Sequence, residues 1–97
     1  MVVEINCTSH IRELIGKKKF FIQIEEAETD VTAAEVLRKI EMSLGAKSIV
    51  LLEDDTIAKG LLVFRRNTTG GLDRIRDCHE KVNNGESLTL GTGMEGG

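Results

Sequence analysis

Val31-Thr32-Ala33-Ala34-Glu35-Val36-Leu37-Arg38-Lys39-Ile40-Glu41-Met42-Ser43-Leu44-Gly45 is the best-signalled element of the chain. Thr32 and Glu35 have capping-box spacing: the hydroxyl accepts from the N3 amide, and the carboxylate reaches back to the cap amide. Val31 and Val36 occupy the positions of a hydrophobic staple around that box. Ala33, Val36, Leu37, Ile40 and Leu44 recur at helical spacing, and Gly45 supplies a left-handed stop. The stretch predicts a helix of about three turns.

Working outward, two alternating runs precede this helix. Val3, Ile5 and Cys7 share one face of the first, with Glu4, Asn6 and Thr8 on the other. Phe20, Ile22 and Ile24 share one face of the second, with Lys19, Phe21, Gln23 and Glu25 opposite. Residues 9–19 between them read as a short turn region, containing Ile11, Leu14 and Ile15 and closed by Gly16. The two runs are expected to pair as a hairpin. After the helix, 49–52 reads as a short buried strand and Glu53-Asp54-Asp55 as a turn. Leu61-Leu62-Val63-Phe64 is another strand, leading into Arg65-Arg66, and 67–71 is a loop that includes Gly70-Gly71. Leu72, Ile75 and Val82 anchor either a helical turn or an edge segment. Asn83-Asn84-Gly85 signals a turn, and Leu88 and Leu90 form a final strand with Ser87 and Thr89 pointing outward.

A chain of 97 residues fits one domain with a single modest core. Its apolar residues are mostly aliphatic, with three Phe and neither Trp nor Tyr. The net charge of −3, with acids and bases interleaved, argues against non-specific binding to nucleic acid or acidic membranes. Lys17-Lys18-Lys19, the densest basic run, reads as a solvated turn and strand start. No apolar run approaches the ~20 residues needed to span a bilayer. The two cysteines, Cys7 and Cys78, form neither a disulfide framework nor a metal-ligand spacing. A reducing, cytoplasmic setting is expected.

The order strand, strand, helix, strand, strand, irregular segment, strand, tail fits an α+β fold of β-grasp type. One main helix packs across a mixed sheet whose last strand lies beside the first. A ferredoxin-like plait requires a second helix, for which only 72–82 is available. Four segments carry a family resemblance. Arg12-Glu13-Leu14-Ile15-Gly16 resembles the Arg-Glu-Leu-x-Gly turn between the first two strands of MoaD proteins. Ala34-Glu35-Val36-Leu37-Arg38 resembles the start of their helix. Asn84-Gly85-Glu86-Ser87-Leu88 resembles the turn before their last strand, and Gly96-Gly97 resembles their terminus. The chain thus resembles the MoaD/ThiS group of ubiquitin-like sulfur carriers. It departs from them in the tail, where Thr92, Gly93 and Glu95 stand in place of prolines and a small hydroxyl residue, and in the length of the stretch from Arg65 to Val82.

The resemblance implies a domain over 1–90 and a flexible tail over 91–97. It also implies that an ATP-dependent, ubiquitin-activating-type adenylating enzyme (MoeB/ThiF-like) activates the Gly97 carboxylate, with Gly96 beside it. This chain then binds no cofactor or metal and is not itself an enzyme. The activated carbonyl passes to a thiocarboxylate for a sulfur-acceptor synthase subunit, of molybdopterin, thiamine or tRNA thiolation type, or to lysines of target proteins. The body is expected to be a monomer alone. Glycine at the last two positions permits close backbone approach in an active-site channel. Met94 and Glu95 fall beside the reacting end and are expected partner contacts. Phe21, on the polar side of its strand, is either core under a twisted or covered strand or a partner contact, and Phe64 poses the same question. Two rival readings are a β-grasp binding module in which the diglycine is incidental and an enzyme using Cys78-His79. Sequence neighbours such as Cys78 and His79 rarely give nucleophile–base geometry. Cys7 reads as a small buried hydrophobe, and His10 and His79 as surface groups.

Overall fold

The computed structural model describes residues 1–25, 31–44, 50–54 and 56–92. Its strands are β1 (Val2–Cys7), β2 (Lys19–Gln23), β3 (Leu52–Glu53), β4 (Thr56–Ile57), β5 (Leu61–Arg66), β6 (Leu72–Ile75) and β7 (Ser87–Thr92), and its helices α1 (Ser9–Ile15) and α2 (Ala33–Leu44). Five strands form one sheet in the order β2-β1-β7-β5-β6, and β3 and β4 form a separate ribbon. β1 and β7 run parallel at the centre, and the other neighbouring pairs are antiparallel. With α2 packed on one face, this is the β-grasp arrangement expected from the sequence; the ferredoxin-like alternative falls because 72–75 is an edge strand.

Alternation drives the packing. Val3, Ile5, Cys7, Ile22, Val63, Ile75, Leu88 and Leu90 are buried beneath α2, which contributes Ala33, Val36, Leu37 and Ile40. Each fully buried aliphatic side chain contributes on the order of 1.5–3 kcal/mol. The capping box forms as read: the Glu35 amide donates to Thr32 Oγ1 (3.4 Å), and the Thr32 amide donates to Glu35 Oε1 (3.0 Å). Val31 and Val36 are both buried in the core. The Gly45 stop lies outside the described residues.

Two further amides at the start of α2 find partners far along the chain. Ala33 donates to the Glu80 carbonyl and Ala34 to the Cys78 carbonyl, each at 2.8 Å. The segment 76–82 therefore serves as a backbone cap for α2, filling donors that a helix start otherwise leaves open. Arg65 ties this segment to the sheet: its guanidinium donates to the Lys81 carbonyl (2.6 Å) and pairs with Asp73 (3.4 Å) and Glu80 (3.6 Å).

Several expectations are corrected. Residues 9–15 form a helix rather than a turn, closed by Gly16 at φ 83 with its amide on the Arg12 carbonyl. Thr8 sits at the N-cap but makes no side-chain cap; its hydroxyl donates to the Leu90 carbonyl at 3.0 Å. Glu53 is a strand residue paired with Thr56, so the turn centres on Asp54 at φ 48. The strand read over 49–52 begins at Leu52, with Val50 exposed and Ile49 outside the described residues. Leu72 is exposed, while Ile75 and Val82 are the buried anchors of 72–82. Gly70-Gly71 is the β5–β6 turn, with the Gly71 amide on Asn67 Oδ1 at 2.8 Å.

β7 continues through Gly91 and Thr92, which the sequence assigned to the tail; they pair with Leu62 and Leu61. A Cβ on Gly91 would lie 2.8 Å from Thr8 Oγ1, the atom that holds the Leu90 carbonyl. Gly91→Ala is therefore expected to destabilise by about 1–3 kcal/mol. A urea-denaturation cycle with Thr8→Ala checks this: the two changes should be strongly non-additive because the second removes the clashing atom.

Candidate functional site

The face of the sheet opposite α2 is built from the residues that alternate with the core. The register places them in rows. One row runs Phe21, Glu4, Ser87, Arg66, Leu72, and the next runs Lys19, Asn6, Thr89, Phe64, Arg74. Leu62 lies opposite Gly91 in the row after that. Phe21 is 61% exposed, so the core reading of this residue is overturned and a free aromatic face remains. Phe64 and Leu62 are half-buried.

Phe21 and Phe64 thus share a face without forming one patch. Three strand spacings separate them, on the order of 14 Å, and Glu4, Asn6, Ser87 and Thr89 occupy the ground between. Lys19 and Glu4 pair across that ground at 3.7 Å. Phe64 and Leu62 lie on β5, beside the strand from which residues 93–97 continue. Thr92, the last described residue, also lines a shallow cleft of about 270 Å³ with Ile11, Val50, Ala58, Lys59 and Leu61. Met94, Glu95, Gly96 and Gly97 lie outside the described residues.

A second concavity escaped sequence reading. It is a groove of about 330 Å³ between β2 and the C-terminal half of α2, lined by Phe21, Ile22, Gln23, Lys39, Met42 and Ser43. Met42 is 74% exposed there. Its only sequence signal is Met42 on the polar side of a helix whose apolar stripe is otherwise complete.

The cysteines offer little chemistry. Cys7 is buried, and that burial raises its thiol pKa above the ordinary 9.0, holding it protonated. Cys78 is buried as well. It lies with Asp77 and His79 in a cluster whose potential ligand atoms are within 4.8 Å of one another. That cluster is accounted for as a turn. The Asp77 carboxylate accepts from the His79 amide at 2.9 Å and faces His79 Nδ1 at 3.1 Å. These hydrogen bonds hold the Asp77 pKa below the usual carboxylate value. His10 and His79 are exposed, as expected.

No family model matches the chain, and no curated protein matches it. Solved structures do. The crystal structure of SAMP1 from Haloferax volcanii matches over the whole of both chains, with a TM-score of 0.75 at 17% identity. The solution structure of the Haloferax volcanii HVO 2177 protein gives a TM-score of 0.76 at 19% identity, covering 100% of this chain and 87% of that one. A further crystal structure, of H. volcanii small archaeal modifier protein 1, gives 0.69 at 16% identity over 94% of this chain and 95% of that one. The likeness establishes a mixed sheet with one main helix in the β-grasp manner. Among the described residues, no helix is long and apolar enough to cross a membrane.

Two outcomes follow from the geometry. Phe21→Ser should change stability by no more than about 1 kcal/mol in urea denaturation, whereas Ile22→Ser on the buried face should cost about 3 kcal/mol or more. Cys7 and Cys78 should resist iodoacetamide in the native protein and react only on unfolding, as read by intact mass.

Proposed function

We propose that this chain is a ubiquitin-like modifier or sulfur carrier in which the Gly97 carboxylate is the reacting group. The observation that supports this is a β-grasp body whose central strand, β7, leads into Gly96-Gly97 five residues beyond Thr92. Five extended residues reach at most about 16–18 Å, enough to place the terminus in a partner's channel while the body docks outside.

A carboxylate is a poor electrophile at neutral pH. A partner enzyme of MoeB/ThiF type joins it to the α-phosphate of ATP and releases pyrophosphate. AMP is then the leaving group. A persulfide sulfur displaces it, and a second thiol cleaves the acyl disulfide to leave a thiocarboxylate for a sulfur acceptor. In the conjugation variant, an enzyme cysteine displaces AMP and a lysine amine then displaces that cysteine, forming an isopeptide bond. This chain supplies the acyl carbon and the docking surface, while ATP and the nucleophiles belong to its partners.

In this reading Leu62 and Phe64 dock the body; their support is that they are the apolar groups of the open face nearest to Thr92, after which 93–97 begin. Met94 and Glu95 then line the channel, where Glu95 sets a charge requirement on the partner.

Deleting Gly97 or making Gly97→Ala should leave stability within about 0.5 kcal/mol of the parent and abolish activation. The measurement is the mass of the C-terminal peptide after incubation with ATP and an adenylating enzyme. An oxygen-to-sulfur exchange identifies a carrier and a lysine adduct a modifier; activation of the deletion variant at the parental rate sinks the proposal. Phe64→Ala should weaken docking to that enzyme by roughly tenfold, the size expected for a central aromatic contact, without altering the chemistry once bound.

A further inference from the structure

The end of β7 opens onto a cleft that the docking face does not use. Thr92 pairs with Leu61, the first residue of β5, and Gly60 turns the chain away just before it at φ 87. Among the described residues the β5–β7 ladder ends at that pair, and residue 93 follows from the rim of the cleft of about 270 Å³ that Thr92 itself lines. Leu61 alternates with Leu62, so the cleft and the Leu62–Phe64 surface lie on opposite sides of the sheet. The cleft is lined mainly by aliphatic groups: Ile11, Ala58 and Leu61 are buried, while Val50 stands 58% exposed. Lys59 is its cationic group. Among the described residues no carboxylate pairs with the Lys59 ammonium; Glu53 accepts from the Lys59 amide instead, at 3.3 Å.

The sequence beyond Thr92 matches this lining in order. Met94 is two residues on, at most about 7 Å away when extended. Side chains two apart along a strand share a side, so an extended continuation of β7 would aim Met94 at the cleft that Thr92 lines. Its unbranched thioether adapts to an irregular apolar hollow. Glu95 follows as the counter-charge for Lys59, and the remaining tail residues are glycines with no side chain to accommodate. A foreign segment would compete with a tethered one, whose effective concentration over so short a link is roughly millimolar.

We propose that residues 93–97 are the occupant of this cleft, with Met94 seated among Ile11, Val50, Ala58 and Leu61 and Glu95 paired with Lys59. On the reading of Gly97 as the reacting group, the contact is a latch. It holds the terminus against the body until a partner on the opposite face of the sheet draws it off. The seating itself does not depend on that reading.

The test is nuclear magnetic resonance on isotope-labelled full-length protein with neither ATP nor a partner present, so its outcome is separate from the fate of Gly97. The Met94 methyl should show nuclear Overhauser contacts to the methyls of Ile11 and Val50. Met94→Ser should shift the signals of Ile11, Val50, Ala58 and Leu61 and leave those of Phe64 and Ile22 unmoved. Trypsin should then cut after Lys59 about threefold faster than in the parent. Lys59→Glu should weaken the seating about twofold to fivefold at low salt and less at high salt, and adding Glu95→Lys should restore it. Missing Met94 contacts, or cleft signals that Met94→Ser leaves in place, overturn the proposal. So do contacts that fade on dilution, since they assign the cleft to the tail of a second copy.

Discussion

The parallel ladder between β1 and β7 is the constraint on which the remaining architecture depends. It pairs Glu4–Cys7 with Ser87–Leu90, the first and last strands of the body. A parallel pair cannot be closed by a tight turn, so the chain between must travel out and return. Everything else hangs on this central seam: the β1–β2 hairpin on one side, β5 and β6 on the other, and α2 across the top. Thr8 reinforces it from the side, because its hydroxyl holds the Leu90 carbonyl where a helix cap would otherwise use it. The seam also decides where the chain leaves the body. β7 is central, so residues 93–97 start from the rigid middle of the sheet rather than from a fraying edge.

Much of this was written locally in the sequence. Thr32, Glu35 and the apolar spacing from Ala33 to Ile40 specify α2 without help from distant residues, and strict alternation in 2–7 and 20–24 specifies the first hairpin. The failures share a physical origin. Helix α1 has a cap residue whose hydroxyl is spent on another strand, so local chemistry gave only the Gly16 stop. β3 and β4 are two residues each, too short to show any period. The segment 76–82 owes its course to carbonyls that serve α2, and such long-range service leaves no periodic trace. As for the candidate site, Phe21 stood out directly as a large apolar group on the polar side of its strand, while the β2–α2 groove exists only because folding sets Gln23 beside Met42.

The open sheet face and the β2 groove meet at Phe21 yet differ in character. The face near Phe64 adjoins β7, from which residues 93–97 continue, whereas the groove lies along the β2 edge of the sheet, beside the C-terminal half of α2.

The carbonyls of Cys78 and Glu80 that receive the Ala34 and Ala33 amides carry a consequence for the order of folding. The helix that spans the sheet is completed at its N-terminus by a segment synthesised well after it. A nascent chain halted before residue 76 would display α2 with its first turn open. Proteolytic nicking within 76–82 would likewise loosen a helix it never cuts, so the cooperative unit of this protein ties α2 to the segment 76–82.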